Sequence, residues 1–69
     1  MNRVERESYK ARILKLADLK STGTPAELGL RFEISERSIK RLVMEIRAEG
    51  NKINYCPVRR SYVTEKNYQ

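Results

Sequence analysis

Apolar residues recur at helical spacing over the first part of the chain. Between Val4 and Lys20 no glycine or proline interrupts the sequence, and the apolar face consists of Tyr9, Ile13, Leu16 and Ala17. The pattern predicts an amphipathic helix over residues 4–20, with its charged residues, Lys10 among them, on the other faces. The helix should end in Ser21-Thr22-Gly23, where the glycine can adopt the left-handed conformation that often follows a helix.

A second, shorter helix is predicted over residues 24–32. Thr24 can cap its first turn, the proline after it suits the first helical position, and Glu27 can reach back to complete a capping box. Gly29 has no side chain, so we expect another helix to approach closely there. The buried face is expected to contain Leu28 and Phe32, which are four residues apart.

A third helix is predicted over residues 35–49, because Ser35 can cap it and Gly50 can end it. Four residues spaced i, i+3, i+4 and i+7 form its inward face: Ile39, Leu42, Val43 and Ile46. At about 100° per residue, the opposite face consists of Arg37, Arg41, Met44 and Ala48, flanked by Ser38, Lys40 and Glu45.

The pattern changes after Gly50 to β-branched and aromatic residues on either side of a turn that contains Pro57. This pattern predicts a β-hairpin over residues 52–64, with a polar tail over residues 65–69 that we expect to fray. The residues expected to cover one end of the helical core are Ile53, Tyr55 and Val63. The predicted fold is therefore mainly α-helical with a small β-hairpin, a three-helix bundle plus hairpin forming one domain over residues 1–69.

Composition limits the function further. The chain has 69 residues, a formal net charge of +6, one cysteine and no histidine. A single thiol without histidine provides neither a disulfide nor the ligands of a metal site, so we expect no metal and no cofactor, and a reduced, cytoplasmic setting. No phosphate-binding glycine loop or catalytic constellation is present, so an enzyme is not expected. No stretch is apolar and long enough to suggest a membrane partner.

The excess positive charge favours a polyanionic partner, and its placement points to DNA. Two helices joined by a very short turn match the geometry that places the second helix across a major groove. The residues of the third helix expected to reach phosphates or base edges are Ser35, Arg37, Ser38, Lys40 and Arg41. The alternative is an ordinary solvated face, in which Arg41 pairs with Glu45 four residues later.

Two further places are candidate contacts. Arg59 and Arg60 lie at the hairpin tip, where they suit the phosphate backbone or the minor groove, although a solvated turn would carry such charges too. Thr24 begins a helix whose free N–H groups suit a phosphate, although capping alone explains it equally well. Tyr55 and Tyr62 would stack on bases of a single-stranded target, but packing over the core is the simpler explanation.

The segment from Thr24 to Leu42 resembles the second and third helices of winged helix-turn-helix domains, the type 11 group found in DeoR-type and biotin-repressor-like bacterial regulators. Its most specific part is the run Ile34 to Arg41. The hairpin resembles the wing of these domains, where a basic turn precedes an aromatic–aliphatic pair, here Tyr62-Val63. The resemblance implies that Ile39 is a core residue and that the DNA-facing residues are Ser35, Arg37, Ser38 and Arg41.

The chain departs from the family at three positions. Glu33 stands where glycine is common in the turn, and Gly29 stands where alanine is common. Leu30 stands where a polar residue is usual, which suggests contact with a second copy or with another protein.

Two main hypotheses follow for the function. The first is sequence-specific binding of double-stranded DNA in transcriptional regulation, either alone or as a homodimer on half-sites roughly 34 Å apart. The alternative is a winged-helix adaptor that binds a partner protein through Leu30, Met44 and the hairpin. Single-stranded nucleic acid binding through Tyr55 and Tyr62 is a third hypothesis.

Overall fold

The structure is a computed structural model that describes residues 2–65. Three helices are followed by one antiparallel hairpin, which confirms the predicted fold class. The elements are α1 (Arg3–Asp18), α2 (Pro25–Phe32), α3 (Glu36–Ala48), β1 (Ile53–Cys56) and β2 (Ser61–Thr64). Helix α3 packs against both other helices, β2 lies against α1, and β1 contacts α3.

Side-chain caps begin the helices, as the sequence predicts for α2 and α3. The Thr24 hydroxyl accepts from the Glu27 N–H at 3.2 Å, and the Thr24 N–H donates to the Glu27 carboxylate at 2.8 Å. This is a complete capping box, and Asn2 and Glu5 form the same arrangement at α1. At α3 the Ser35 hydroxyl accepts from the Ser38 N–H at 3.1 Å.

Each helix ends in a pair of backbone hydrogen bonds around one left-handed residue. After α1 this residue is Lys20, with φ of 56°, so the expectation that Gly23 would take this role is wrong. After α3 it is Gly50, as predicted, with φ of 100°. After α2 it is Glu33, with φ of 60°, and the next N–H, from Ile34, donates to the Gly29 carbonyl at 2.9 Å.

Gly29 permits a close backbone approach, but the approaching element is not the one we expected. A Cβ atom built on Gly29 would lie 2.8 Å from the Ile34 carbonyl oxygen. The neighbour is thus the turn that leads into α3 rather than the side of another helix. The turn between α2 and α3 is therefore folded back tightly on α2.

The core contains apolar side chains from every element. The predicted inward faces of α2 and α3 are confirmed, and α1 contributes only part of its predicted face because Tyr9 and Leu16 are half-buried. Buried core residues are Ile13, Ala17, Leu28, Phe32, Ile39, Leu42, Val43, Ile46, Ile53, Tyr62 and Val63. The Tyr9 ring stacks on Phe32 with centroids 5.3 Å apart.

The hairpin pairs Tyr55 directly with Tyr62. Tyr62 is 5% exposed, whereas Tyr55 is 37% exposed, so the prediction that Tyr55 would cover the core is wrong. The two rings lie on the same face of the hairpin, but β2 is the strand that lies against α1. Ile53 and Val63 are buried as predicted.

A buried pair of hydroxyl groups fastens the hairpin to the loop after α1. The Thr22 N–H donates to the Ser61 hydroxyl at 3.0 Å, and the Tyr62 N–H donates to the Thr22 hydroxyl at 2.8 Å. The two hydroxyl oxygens are 3.1 Å apart. This network fixes the start of β2 relative to the segment that leads into α2.

Lys10 also departs from expectation, since it is 6% exposed rather than on a solvated face. Its ammonium group contacts Glu49, Glu7 at 2.9 Å and Glu45 at 3.8 Å. The hydrogen bonds that the ammonium group donates to the Glu49 and Glu7 carboxylates raise the Lys10 pKa above its usual value. The cluster joins α1 to the last turns of α3.

The predicted frayed tail lies outside the described residues except for Glu65. The Glu65 N–H donates to the Lys52 carbonyl at 3.0 Å, and the two side chains form an ion pair at 3.8 Å, so this residue is held by its neighbours. Within residues 2–65, no helix is long and apolar enough to cross a membrane.

Candidate nucleic-acid interface

One exposed stripe of α3 contains two of the candidate DNA contacts, Arg37 and Arg41. Arg37, Arg41, Met44 and Ala48 are all exposed and follow one another at i, i+4, i+7 and i+11, so they lie along one side of the helix. We call these four residues the α3 stripe. A shallow open depression runs along it, bordered by Lys40 and Glu45. The opposite side of α3 is buried, so the stripe is the side available to a partner.

The arginines of the α3 stripe have no acidic partner within residues 2–65. The sequence offered Glu45 as a partner for Arg41, but this pair does not form. Glu45 instead faces α1, where its carboxylate lies 3.9 Å from Arg6 and 3.8 Å from Lys10. Both arginines of the stripe are therefore positively charged, exposed and uncompensated.

Lys40 is placed differently from these arginines. Its ammonium group lies 3.1 Å from the Glu36 carboxylate, one turn earlier on α3. Both side chains are largely exposed, so the pair is weak and water competes with it. Lys40 is thus partly compensated by Glu36, unlike the arginines of the α3 stripe.

The two serines at the start of α3 hydrogen-bond each other. The Ser35 hydroxyl caps the helix and donates to the Ser38 hydroxyl at 3.0 Å. Because the Ser38 oxygen accepts that bond, its own hydrogen remains available to a phosphate or base edge. The Ser35 hydroxyl hydrogen is already used, so Ser38, which is half-buried, is the serine with a hydroxyl hydrogen to donate.

The hairpin tip spans residues 57–60 and is exposed throughout. Arg59 and Arg60 lie in this turn, as predicted, and Arg60 has a positive φ of 52°. Val58 is 92% exposed. Arg59 and Arg60 form no ion pair within 4.0 Å among the described residues. The tip is a second basic site, in which Arg60 lies close enough to Glu27 for the two charges to interact.

The start of α2 is occupied by the capping box that the sequence predicts. Thr24 uses both its N–H and its hydroxyl in the capping box with Glu27. These hydrogen bonds hold the pKa of Glu27 below its usual value, with smaller contributions from the charges of Arg60 and Arg31. Ala26 supplies the remaining N–H of the first turn, because Pro25 has none. Of the predicted contacts, Thr24 is therefore the most committed to the fold.

Comparison with known protein families, with characterised proteins and with solved structures finds no match to this chain. What the interface can bind is therefore judged from its own side chains. They provide an uncompensated basic stripe, a hydroxyl donor at a helix start and a basic turn. Among the described residues, no cluster of acidic or thiol side chains is arranged to hold a metal ion.

The tyrosines do not form a platform for single-stranded bases. Tyr62 is buried, and Tyr55 meets its ring edge to face with centroids 5.3 Å apart. Burial also raises the Tyr62 pKa. Of the two rings, only that of Tyr55 is exposed, at 37%, so bases cannot stack on both.

Sequence reasoning missed two arginines that support the interface. The Arg47 guanidinium donates to the Ile53 carbonyl oxygen at 2.9 and 3.1 Å and so joins the end of α3 to β1. The Arg12 guanidinium lies 4.5 Å above the Phe32 ring. Ile53 and Phe32 lie on other elements than the arginines that contact them, so the spacing of residues along the chain does not predict these contacts.

Proposed function

We propose that this protein binds double-stranded DNA with sequence preference, as a winged helix-turn-helix module that acts in transcriptional regulation. In this proposal α3 enters the major groove and the hairpin segment 57–61, which contains the tip, follows the phosphate backbone or the minor groove. The observation that supports it best is the α3 stripe, whose arginines are exposed and have no acidic partner among the described residues.

The electrostatics of α3 favour an anionic partner. Arg37 and Arg41 are four residues apart, a spacing at which like charges weaken an isolated helix by a few tenths of a kcal/mol. A phosphate or a guanine edge between them removes this repulsion. Arginine can donate two parallel hydrogen bonds to guanine O6 and N7, and each such contact discriminates by about 1–3 kcal/mol.

The arrangement of the neighbouring elements supports the same function. The turn between α2 and α3 is packed tightly on Gly29, so the start of α3 has a fixed position relative to α2. The Thr22–Ser61 hydroxyl pair fixes the hairpin. Two basic sites held rigidly on one small domain suit simultaneous contact with a groove and a backbone.

Selection of bound sequences from a random pool of DNA duplexes tests this function. We expect an enriched motif, and we expect Arg37→Ala to flatten the preference at one or two positions. Arg59→Ala should weaken binding to all duplexes by a similar factor if the tip contacts the backbone, and should reduce a preference for A·T pairs if it enters the minor groove. A pool in which no duplex sequence is enriched, even at low salt, contradicts the proposal.

The exposure of Leu30 favours a second candidate, a protein-interaction adaptor. Leu30 is 80% exposed on α2, away from the buried face formed by Leu28 and Phe32. A complex with a second copy or a partner protein that survives high salt and the loss of Arg37 and Arg41, but is lost in Leu30→Ser, would support this function.

A further inference from the structure

Met44 is the large apolar member of the α3 stripe. It is 66% exposed, one helical turn beyond Arg41 and on the same side of the helix. Ala48 continues the stripe, so its first half is basic and its second half is apolar. The depression along this side is bordered by both halves.

Glu45 borders the same depression, but its carboxylate is paired with cations of α1. Glu45 follows Met44 directly but turns toward α1, where Arg6 and Lys10 hold it. A partner surface that approached Met44 would therefore meet apolar atoms next to positive charge. This combination selects a polyanion that also presents an apolar group.

The spacing along α3 matches the spacing of stacked base pairs. Arg37 and Met44 are seven residues apart, which corresponds to about 10 Å along a helix axis, or roughly three base-pair steps. Positions i, i+3, i+4 and i+7 of a helix in the major groove are the ones that reach base edges. Here these positions are Arg37, Lys40, Arg41 and Met44.

The major groove presents one apolar group, the 5-methyl group of thymine. We infer that Met44 contacts a thymine methyl group, so that the preferred target contains a thymine about one or two base pairs beyond the position contacted by Arg41. The unbranched thioether side chain can adapt to a methyl group at slightly different positions. This inference rests on the proposed function and adds a specificity-determining residue to it.

Replacement of thymine by deoxyuridine removes only the methyl group and tests this contact directly. The probe is the best duplex from the selection, with each thymine replaced in turn. Wild-type protein should bind about fourfold more weakly when the contacted thymine is replaced, the effect expected of one buried methyl group. Met44→Ala should bind the thymine duplex more weakly than the wild type does. Because the alanine side chain retains about half of the apolar contact or less, the affinity of this variant should fall less than twofold when the same thymine is replaced.

Two variants keep the result interpretable. Met44→Leu retains an apolar side chain and should retain the response to uracil. Leu19→Ala, which shortens an apolar side chain of similar exposure (65%) just after α1, should leave both affinity and response unchanged. Because Met44 is exposed, its variants should melt at the wild-type temperature, which circular dichroism checks.

The outcomes separate this inference from the proposed function. Sequence-selective duplex binding that ignores every uracil replacement, or that shows the same response in Met44→Ala, overturns the inference and leaves the proposed function intact. Absence of any duplex binding overturns both.

Discussion

Glu33 adopts a backbone conformation that glycine adopts more easily. Its φ of 60° lies in the left-handed region, where a Cβ atom is crowded by the carbonyl group. Gly29, four residues earlier, has no Cβ because the Ile34 carbonyl occupies that space. Position 33 therefore suits the glycine that is common in the resembling family, whereas position 29 does not suit the alanine that is common there.

Substitution of Glu33 by glycine should stabilise the protein by about 1 kcal/mol, because it removes the left-handed penalty. Urea denaturation at equilibrium measures the change. Gly50→Ala is the matched control. Gly50 has a φ of 100°, which alanine adopts less easily than glycine, and no atom lies within 4 Å of the added Cβ. It should therefore lose stability, and a Glu33→Gly variant that is less stable than wild type would contradict this account.

Substitution of Gly29 by alanine should destabilise the protein, although alanine is the better helix former by about 1 kcal/mol. The added Cβ would lie 2.8 Å from a backbone oxygen that cannot rotate away, and overpacking of this kind costs about 1–3 kcal/mol. Leu30→Ala, on the exposed side of the same helix, is the control and should change the unfolding free energy little. A Gly29→Ala variant more stable than wild type would contradict this prediction and would show that the turn between α2 and α3 shifts to accommodate the added Cβ.

At the scale of elements, local signals account for most of the fold. Caps at Thr24 and Ser35 and the periodicity of α3 are properties of neighbouring residues, so the sequence alone predicts them. The pairing of Glu45 and the burial of Lys10 depend on how α1 packs against α3. Lys10 and Glu49, which are in contact, are 39 residues apart in the sequence. The side chains of Tyr55 and Tyr62 lie on the same face of the hairpin, and only the packing of β2 on α1 decides which of them is buried.

The Thr22–Ser61 pair should control the order of the hairpin. Thr22→Val keeps the shape but leaves the buried Tyr62 N–H and Ser61 hydroxyl without the Thr22 oxygen, which should cost about 1–3 kcal/mol. Hydrogen exchange of the Tyr62 amide should accelerate with the loss of stability. Thr22→Ser keeps the hydroxyl and should retain most of the protection; equal effects of the two substitutions would show that methyl packing matters rather than the network.

At the scale of the whole molecule, charge is unevenly compensated. Lys10 is surrounded by carboxylates, whereas Arg37, Arg41, Arg59 and Arg60 have none within 4.0 Å in the described part of the chain. The location of the α3 stripe is predictable from periodicity. Its lack of acidic partners is not, because that depends on Glu45 turning toward α1.

The Lys10 cluster predicts a dependence of stability on alkaline pH. The folded-state pKa of Lys10 is raised, so its stabilising effect is complete below the unfolded-state pKa of about 10.5 and is lost as pH rises through the folded-state value. The difference in unfolding free energy between wild type and Lys10→Met should be constant near neutral pH and shrink above about pH 10.5. Lys15→Met, at an exposed position, should show no such trend; a difference that grows with pH would contradict the assignment.

Salt dependence of duplex binding tests the central claim most directly. The affinity of wild-type protein and of the Arg37→Ala/Arg41→Ala double variant for the selected duplex is measured from low to physiological salt. We expect the logarithm of the wild-type affinity to fall linearly and steeply with the logarithm of the salt concentration. The double variant should lose both affinity and sequence preference. The slope of its salt dependence should be shallower by about one for each phosphate contact removed. Wild-type binding that is absent at low salt, or a double variant that binds with wild-type affinity, preference and slope, would contradict the claim that α3 is the DNA-reading helix.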